Sequence, residues 1–457
     1  MQFTNVSAEE SAVDIELIDG SGGFDTITSL ALDSKNNPHI TYYDEDKGDL
    51  RYAYWTGATW IRRTVDELGN VGKYSSIVLD KNDRPHISYI GLGYDYLKYA
   101  TYSGKEWNIT EVDNLWTSKA FTAIVLDSKD EPHICYYGDG KIIHAYQNGN
   151  GWEFETVENY AHSFDITLVI DSNDRMHLSY YYNLDEQVKY SSNKFGSWST
   201  SVVTDLEKGG GGPAIAIDSR NRPSIAYHDR LEDGTIAPLK LAKWTGENWE
   251  YTTIEKNIYV GDCSLDFDTS NNPHICYRDF TNKRLKYAMY DGKRWITGVV
   301  DENSDGSDIS LKVDDESAHI SYYDKNSNKI KYAKLELEKF ASKIDEKDNG
   351  GGLSQDEINM MWLIVILIPV IMVIFFFAYK SYQKSQRTPK YIINPENQQS
   401  TLPPSQFENK SENIKKPTTP PQPPPPPIPY LCSSCGQPLS IVPQFNRYYC
   451  YRCRRYE

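Results

Sequence analysis

The sequence predicts an all-β fold: a seven-bladed β-propeller closed by its N-terminal strand, followed by one transmembrane helix and a small zinc ribbon. Three observations carry this. A motif of the form (apolar)-x-(apolar)-Asp-Ser-x-Asn-x-Pro-His-Ile-x-Tyr-Tyr comes round seven times, with its Asp at Asp33, Asp80, Asp127, Asp171, Asp218, Asp268 and Asp314. Residues 360–379 carry no charged side chain. Two Cys-x-x-Cys pairs, Cys432/Cys435 and Cys450/Cys453, lie near the C-terminus.

The motif recurs at steps of 44 to 50 residues, a period that means one supersecondary unit stacked on copies of itself. The second unit shows what that unit is. Ser76–Leu79 is short and apolar, as a buried inner strand should be. Lys81-Asn82-Asp83-Arg84-Pro85 is turn chemistry. His86–Ile90 alternates and is β-rich, Leu97–Tyr102 is a third strand, and Trp107–Val112 a fourth. Four antiparallel strands in a unit of this length describe a propeller blade. The fourth strand opens near a Trp in six units, at Trp60, Trp107, Trp152, Trp198, Trp249 and Trp295, but not in the seventh. The missing strand is at the other end of the chain. Asp19 stands 14 residues before Asp33, as Asp66 stands 14 before Asp80, so residues 13–18 are in register with a fourth strand. Placed on blade seven, they close the ring and cover both open edges.

The Gly-x-x-Trp turns (Gly57/Trp60, Gly104/Trp107, Gly149/Trp152, Gly246/Trp249, Gly292/Trp295) resemble the back half of the Asp-box of BNR, or sialidase-like, propellers. The resemblance covers about residues 13–335. Trp55, Tyr102, Gln147, Trp244 and Tyr290 stand where the Asp of that box would be, so it implies the architecture rather than sialidase chemistry.

Charge is divided along the chain. Residues 380–457 are net +7 and the remainder about −23, within a total of −16. An acidic propeller makes nucleic acid an unfavourable partner and suits a solvated surface, a cation or a basic partner. Six histidines share one repeat position (His39, His86, His133, His177, His274 and His319), with Ser224 in the fifth unit. One per blade, they cannot cluster as metal ligands do, and each is expected to hydrogen-bond the turn beside it. Cys135, Cys263 and Cys276 read as small buried residues, not a disulfide framework.

Carboxylates crowd the loops after the second strands: Asp44-Glu45-Asp46, Asp229 with Glu232-Asp233, Asp279 and Asp324. In propellers these loops share a face with the entries to the first strands. A glycosidase needs a carboxylate pair at fixed separation, and no such constellation stands out, so no catalytic residue is assigned. Asp301-Glu302-Asn303-Ser304-Asp305-Gly306 matches the first half of a calcium loop, but Lys312 stands where its closing Glu would be.

Residues 360–379 span about 30 Å as a helix, one bilayer core. Lys380, Lys384, Arg387 and Lys390 follow the segment and acidic residues precede it, which places the tail in the cytoplasm and the propeller outside. Residues 1–20 show neither a basic start nor an apolar run. Either the span exports the domain before it, or the true start lies upstream. The organisation expected is a propeller over 1–337, a juxtamembrane linker over 338–358, the span, a Pro-rich tail over 380–430 and the ribbon over 431–457.

The Pro-rich tail cannot pack a core and reads as a semi-rigid spacer. After it, the two Cys pairs are separated by 14 residues, spacing that suits a closed tetrahedral site of four thiolates for structural zinc. The module resembles the zinc ribbons at the ends of archaeal membrane proteins. Free thiolates persist in a reducing compartment, in keeping with a cytoplasmic tail. The function expected is binding: a membrane-anchored surface protein recognising an extracellular glycan or protein, with a cytoplasmic protein partner for the ribbon. The alternatives are a surface glycoside hydrolase and a receptor signalling through the ribbon.

Overall fold

The computed structural model describes residues 11–20, 27–92, 96–115, 121–149, 151–159, 163–193, 196–204, 211–229, 237–304 and 306–349, and then 440–442, 447–450 and 455–456. They fall in two units, one within Met1–Pro369 and one within Val370–Glu457, each described by itself.

The first unit is the seven-bladed propeller. Seven sheets of four antiparallel strands follow one another, six in simple sequence order. Blade one runs Ser29–Leu32, Pro38–Asp44, Asp49–Trp55 and Trp60–Asp66. Blade seven is the exception: its outer strand is Val13–Asp19, paired with Lys329–Glu336 in the register Val13↔Leu335 to Leu17↔Lys331. The expected closure by the N-terminal strand is therefore what the chain adopts. First strands from all seven blades line an axial channel of about 720 Å³.

The repeated letters are explained by one local device. The carboxylate of Asp33 accepts the N–H groups of Lys35 and Asn37, both at 2.8 Å, and so closes the turn on itself. Asn36 takes φ 60°, and the matching positions Asp83, Asp130, Asp174, Asn221 and Asn271 do the same, a conformation that Asn and Asp tolerate best among residues with a Cβ. His39 then bridges outward, with Nε2 3.7 Å from Asp33 Oδ2 and Nδ1 2.6 Å from the Tyr52 hydroxyl. The same His–Tyr contact recurs at His86/Tyr99, His177/Tyr190, His274/Tyr287 and His319/Tyr332. Blade three substitutes His144 for the tyrosine. Where blade five loses the His to Ser224, it also loses the tyrosine, to Leu241. The expected hydrogen bond to the turn forms at His319 alone (Nε2 3.1 Å from Asp314 Oδ2); the other five Nε2 atoms stand 3.5–4.0 Å from their turn Asp, and the short bond of the motif goes instead to the third-strand partner, which the motif alone did not reveal.

Blades are latched to one another by a second set of bonds. The second-strand tyrosine of one blade donates to the carboxylate that ends the preceding blade: Tyr89 to Asp66, Tyr136 to Asp113, Tyr180 to Glu158, Tyr322 to Asp301, and across the closure Tyr42 to Asp19 at 2.7 Å. In four blades the outer-strand Trp also packs edge-on against the third-strand tyrosine before it, as in Trp107 on Tyr52 (5.5 Å, 84°) and Trp60 on Tyr332 (5.2 Å, 67°), and Trp198 packs on His144 in the same way.

The seventh Trp is replaced from an unexpected quarter. Val13 stands in its place, and the slot on Tyr287 is filled by Phe340 (5.5 Å, 86°), from a helix at Leu337–Asn349. Most of the segment predicted as a linker is thus helical and docked on the propeller. The apolar positions Leu337, Phe340, Ala341 and Ile344 recur at helical spacing and join the core between blades six and seven. Gly298 makes the room, because a Cβ there would lie 2.6 Å from the Phe340 ring and 2.8 Å from Ile344. Phe340→Ala is expected to cost about 3 kcal/mol, read as a lowered urea midpoint of the full chain; an unchanged midpoint would mean the helix adds nothing to the ring.

The second unit contributes a three-stranded antiparallel sheet, Ser440–Val442, Arg447–Cys450 and Arg455–Tyr456, with Ser440 opposite Tyr449 and Cys450 opposite Arg455. A hairpin is thus formed between the two Cys pairs. Cys432, Cys435 and Cys453 lie outside the described residues, as do the 360–379 segment and the Pro-rich tail. Among the described residues no helix is long and apolar enough to cross a membrane.

Candidate functional site

Loops after the second strands and entries to the first strands share one face, as register shows: Val260 lies opposite Asp279 and Ser307 opposite Tyr323. The acidic loop residues named from sequence are on this face, but most hold their own turns. Asp44 caps Lys47 N–H (3.2 Å), Asp279 takes the N–H and side-chain amide of Asn282, and Asp324 and Asp229 pair with Lys331 (2.8 Å) and Lys240 (2.6 Å). Glu45 and Asp46 are exposed, and Glu232 and Asp233 lie outside the described residues. In the calcium-like loop, Asp301 already holds Lys331 Nζ (3.0 Å), the Tyr322 hydroxyl (2.8 Å) and Asn303 N–H (2.9 Å); Asp305 is outside the described residues. Among the described residues no group of three or more His, Cys, Asp or Glu is placed to hold a metal ion.

The candidate site is at the axis, where the copies differ. Six residues before each motif Asp the seven blades carry Ile27, Tyr74, Phe121, Asp165, Gly212, Asp262 and Asp308. All seven line one cavity of about 150 Å³ at the mouth of the channel. The ring is two-sided. Blades one to three supply an apolar arc, with the Tyr74 and Phe121 rings 4.6 Å apart. Blades four, six and seven supply three carboxylates, and the glycine of blade five leaves space between them.

The backbone here is held in an unusual state. Tyr74, Asp165, Gly212 and Asp308 have φ of 55°, 58°, 52° and 54°. For a tyrosine this left-handed region is costly and persists only when neighbours enforce it. The neighbours are the next positions of adjacent blades, whose hydroxyl or thiol donates to the ring carbonyls: Thr122 to Tyr74 O (2.9 Å), Thr28 to Asp308 O (2.8 Å) and Cys263 to Gly212 O (3.0 Å). Cys263 therefore pins the ring as well as filling space.

The electrostatics are strained too. Burial, then the charge of Asp262, pushes the Asp165 carboxyl up to about 7, against a Gly212 N–H that favours the carboxylate. Burial, then Asp262 again, pushes Asp308 up to about 7. Asp262 accepts the Asp308 N–H at 3.4 Å. Three converging acids add no stability to the fold, and their raised protonation marks the ring as the candidate site. Sequence reading missed these residues because it followed shared letters. Setting the copies in register and reading the variable position would have found them.

No family model matches this sequence, and no curated protein matches it. Solved structures similar in fold include AofleA from Arthrobotrys oligospora (13% identity, 63% of this chain and 90% of that one, TM-score 0.46). They also include a polysaccharide lyase of family PL25, an ulvan lyase bound to -[GlcA(1-4)Rha3S]- (13%, 70% and 97%, 0.49), and YCF48 bound to D1 peptide (13%, 72% and 98%, 0.49). The likeness is one of fold, and no site residue is carried over from it.

Proposed function

We propose that this protein is a membrane-anchored surface binding protein whose propeller takes a cationic group of an extracellular glycan or protein at its axial mouth. The observation that carries this is the two-sided ring. An aromatic arc facing three carboxylates is the chemistry that recognises an ammonium or guanidinium group, by cation–π attraction on one side and ion pairing on the other. Two of those carboxyls are half-protonated near neutrality when empty, so a bound cation would draw their protons off, and affinity should rise with pH. The test is calorimetry on the detergent-solubilised full chain with an oligolysine peptide and a glucosamine oligomer, each against its N-acetylated form. At least one cationic probe is expected to bind with proton release, and Asp262→Asn to weaken it about tenfold. Equal binding of cationic and acetylated probes would sink the reading.

Anchoring rests on the uncharged 360–379 segment, and the outward propeller on the basic flank that follows it. Cys432, Cys435, Cys450 and Cys453 are a donor set that suits structural zinc, which would staple the ends of the 440–450 hairpin for a cytoplasmic protein partner. A glycoside hydrolase is the second reading, favoured by one observation: burial and a neighbouring carboxyl raise Asp165 and Asp308 to about 7, which is the environment a general acid needs. Turnover of a glycoside by the full chain would move the assignment there.

A further inference from the structure

The seam where the ring closes, between blades seven and one, holds a second cavity of about 400 Å³, lined by Glu16, Lys35, Asn36, Trp55, Tyr332 and Lys334 among others, with the Asp314 carboxylate in its wall already held by His319 Nε2 at 3.1 Å. It is not a general feature of the seams. At the next seam the equivalent place is plugged by Arg63, which sits opposite Tyr52 as Glu16 sits opposite Tyr332. Its guanidinium donates to the hydroxyls of Tyr102 (2.5 Å) and Tyr54 (3.3 Å) and lies over both rings at 5.0 and 5.6 Å. At the preceding seam the place belongs to Gly298, and Phe340 fills it. At the closing seam Glu16 replaces Arg63, Lys334 replaces Tyr54 and Trp55 replaces Tyr102, so the plug is gone.

A second observation points the same way. Successive blades are tied turn to turn: Ser34 to Asp83, Lys81 to Asp130, Ser128 to Asp174, Ser172 to Asn221, Ser219 to Asn271 and Thr269 to Asp315. Blade seven has a turn one residue shorter, closing from Asp314 to Ser317 where blade one closes from Asp33 to Asn37. Among the described residues no such tie joins Asp315 to Asn36, whose amide is left beside the cavity. Lys35 and Lys334 likewise have no ion-pair partner among the described residues, while Glu16 is engaged by Trp60 Nε1 at 2.9 Å.

We propose that this seam cavity is a carbohydrate subsite for an acidic sugar, a uronate residue of an anionic glycan. The half-buried indole of Trp55 offers an apolar plane for the C–H face of a pyranose ring. Two unpaired ammonium groups match one sugar carboxylate, and the amide of Asn36 and the carboxylate of Glu16 match its hydroxyls. A bare anion would leave the indole unused, and a neutral sugar would leave both lysines unused. The volume holds one or two rings.

The test is calorimetry of the detergent-solubilised full chain with trigalacturonate, against maltotriose and against sulfate. Trigalacturonate is expected to bind at least about tenfold more tightly than maltotriose. The Lys35→Gln/Lys334→Gln pair should remove that preference, Trp55→Phe should largely keep the binding, and Asp262→Asn at the axis should leave it unchanged. Both lysines are exposed, so the double variant should keep the parental melting temperature. Absence of trigalacturonate binding, equal binding of maltotriose, competition by sulfate at equal charge, or retention of binding in the lysine variant would each overturn the assignment. Because the axial variant is a separate arm, failure here leaves the axial reading untouched.

Discussion

Removing residues 1–19 from the full chain is expected to abolish the cooperative unfolding of the propeller. The strand Val13–Asp19 is the outer strand of blade seven and part of the contact between blades seven and one. Ile18 is fully buried among Leu30, Ile40, Tyr42, Trp60, Ile330 and Tyr332, residues of both blades. Asp19 accepts the Tyr42 hydroxyl, Glu16 accepts Trp60 Nε1, and Arg62 donates to the Ile18 carbonyl. Deletion would strip a large aliphatic residue from the core, worth about 3 kcal/mol by itself, orphan a buried tyrosine hydroxyl and an indole N–H, and open the edge at Lys329–Glu336. Together these amount to about 5–9 kcal/mol, comparable to the margin by which a domain is stable. The expected result is loss of a single sharp thermal transition by near-ultraviolet circular dichroism. A synthetic peptide of residues 11–20 added in trans should restore it, because the slot is preformed by blades one and seven. A truncated chain melting as sharply, and within about 3 °C of the parent, would show that the ring does not depend on this clasp.

The clasp was legible in the sequence for a physical reason. Asp19 and Asp66 do the same work, each accepting a tyrosine hydroxyl of the following blade, so their equal 14-residue offsets record equal geometry. The Asp, His and turn letters were legible for the same reason: identical contacts demand identical residues in each copy. What escaped was whatever breaks the repeat. Phe340 occupies a seventh aromatic slot from outside the repeat, and Gly298 looks like an ordinary strand glycine until the helix is laid against it. The axial ring escaped because no one letter runs through its seven positions, and the seam cavity because its emptiness is the product of three unrelated substitutions. Scaffold is written in what the copies share and binding chemistry in how they differ.

Asp165→Asn is expected to stabilise the propeller at pH 8 and to leave it unchanged at pH 4. The folded carboxyl is held up at about 7 against an ordinary 3.8, by burial first and by Asp262 second. A raised folded pKa means that the acid favours the fold while it is protonated in both states, below pH ~4, and that this advantage drains away as pH climbs through ~7. The amide cannot ionise, so it keeps the advantage above pH ~7. A tenfold change in proton affinity is worth about 1.4 kcal/mol, but the same repulsion also raises Asp308, so one substitution should recover only part of the total, about 2 kcal/mol. Asp308→Asn should then add less than its single effect, since the shared charge is already reduced. The histidines pull the other way. His39, His86, His133 and His144 are held neutral by burial, His144 down to about 3. Their contribution falls as pH drops below ~6.5, which sets the acid limb of the stability profile in parent and variant alike. Urea midpoints of the full chain from pH 4 to pH 9 check the prediction: the two curves should meet near pH 4 and separate progressively to pH ~7. If the parent and variant curves stay parallel from pH 4 to pH 8, or the variant is weaker at pH 8, the three acids do not repel across the axis. If the variant gains stability while losing its cationic ligand, the electrostatic strain of the empty ring is maintained for that ligand.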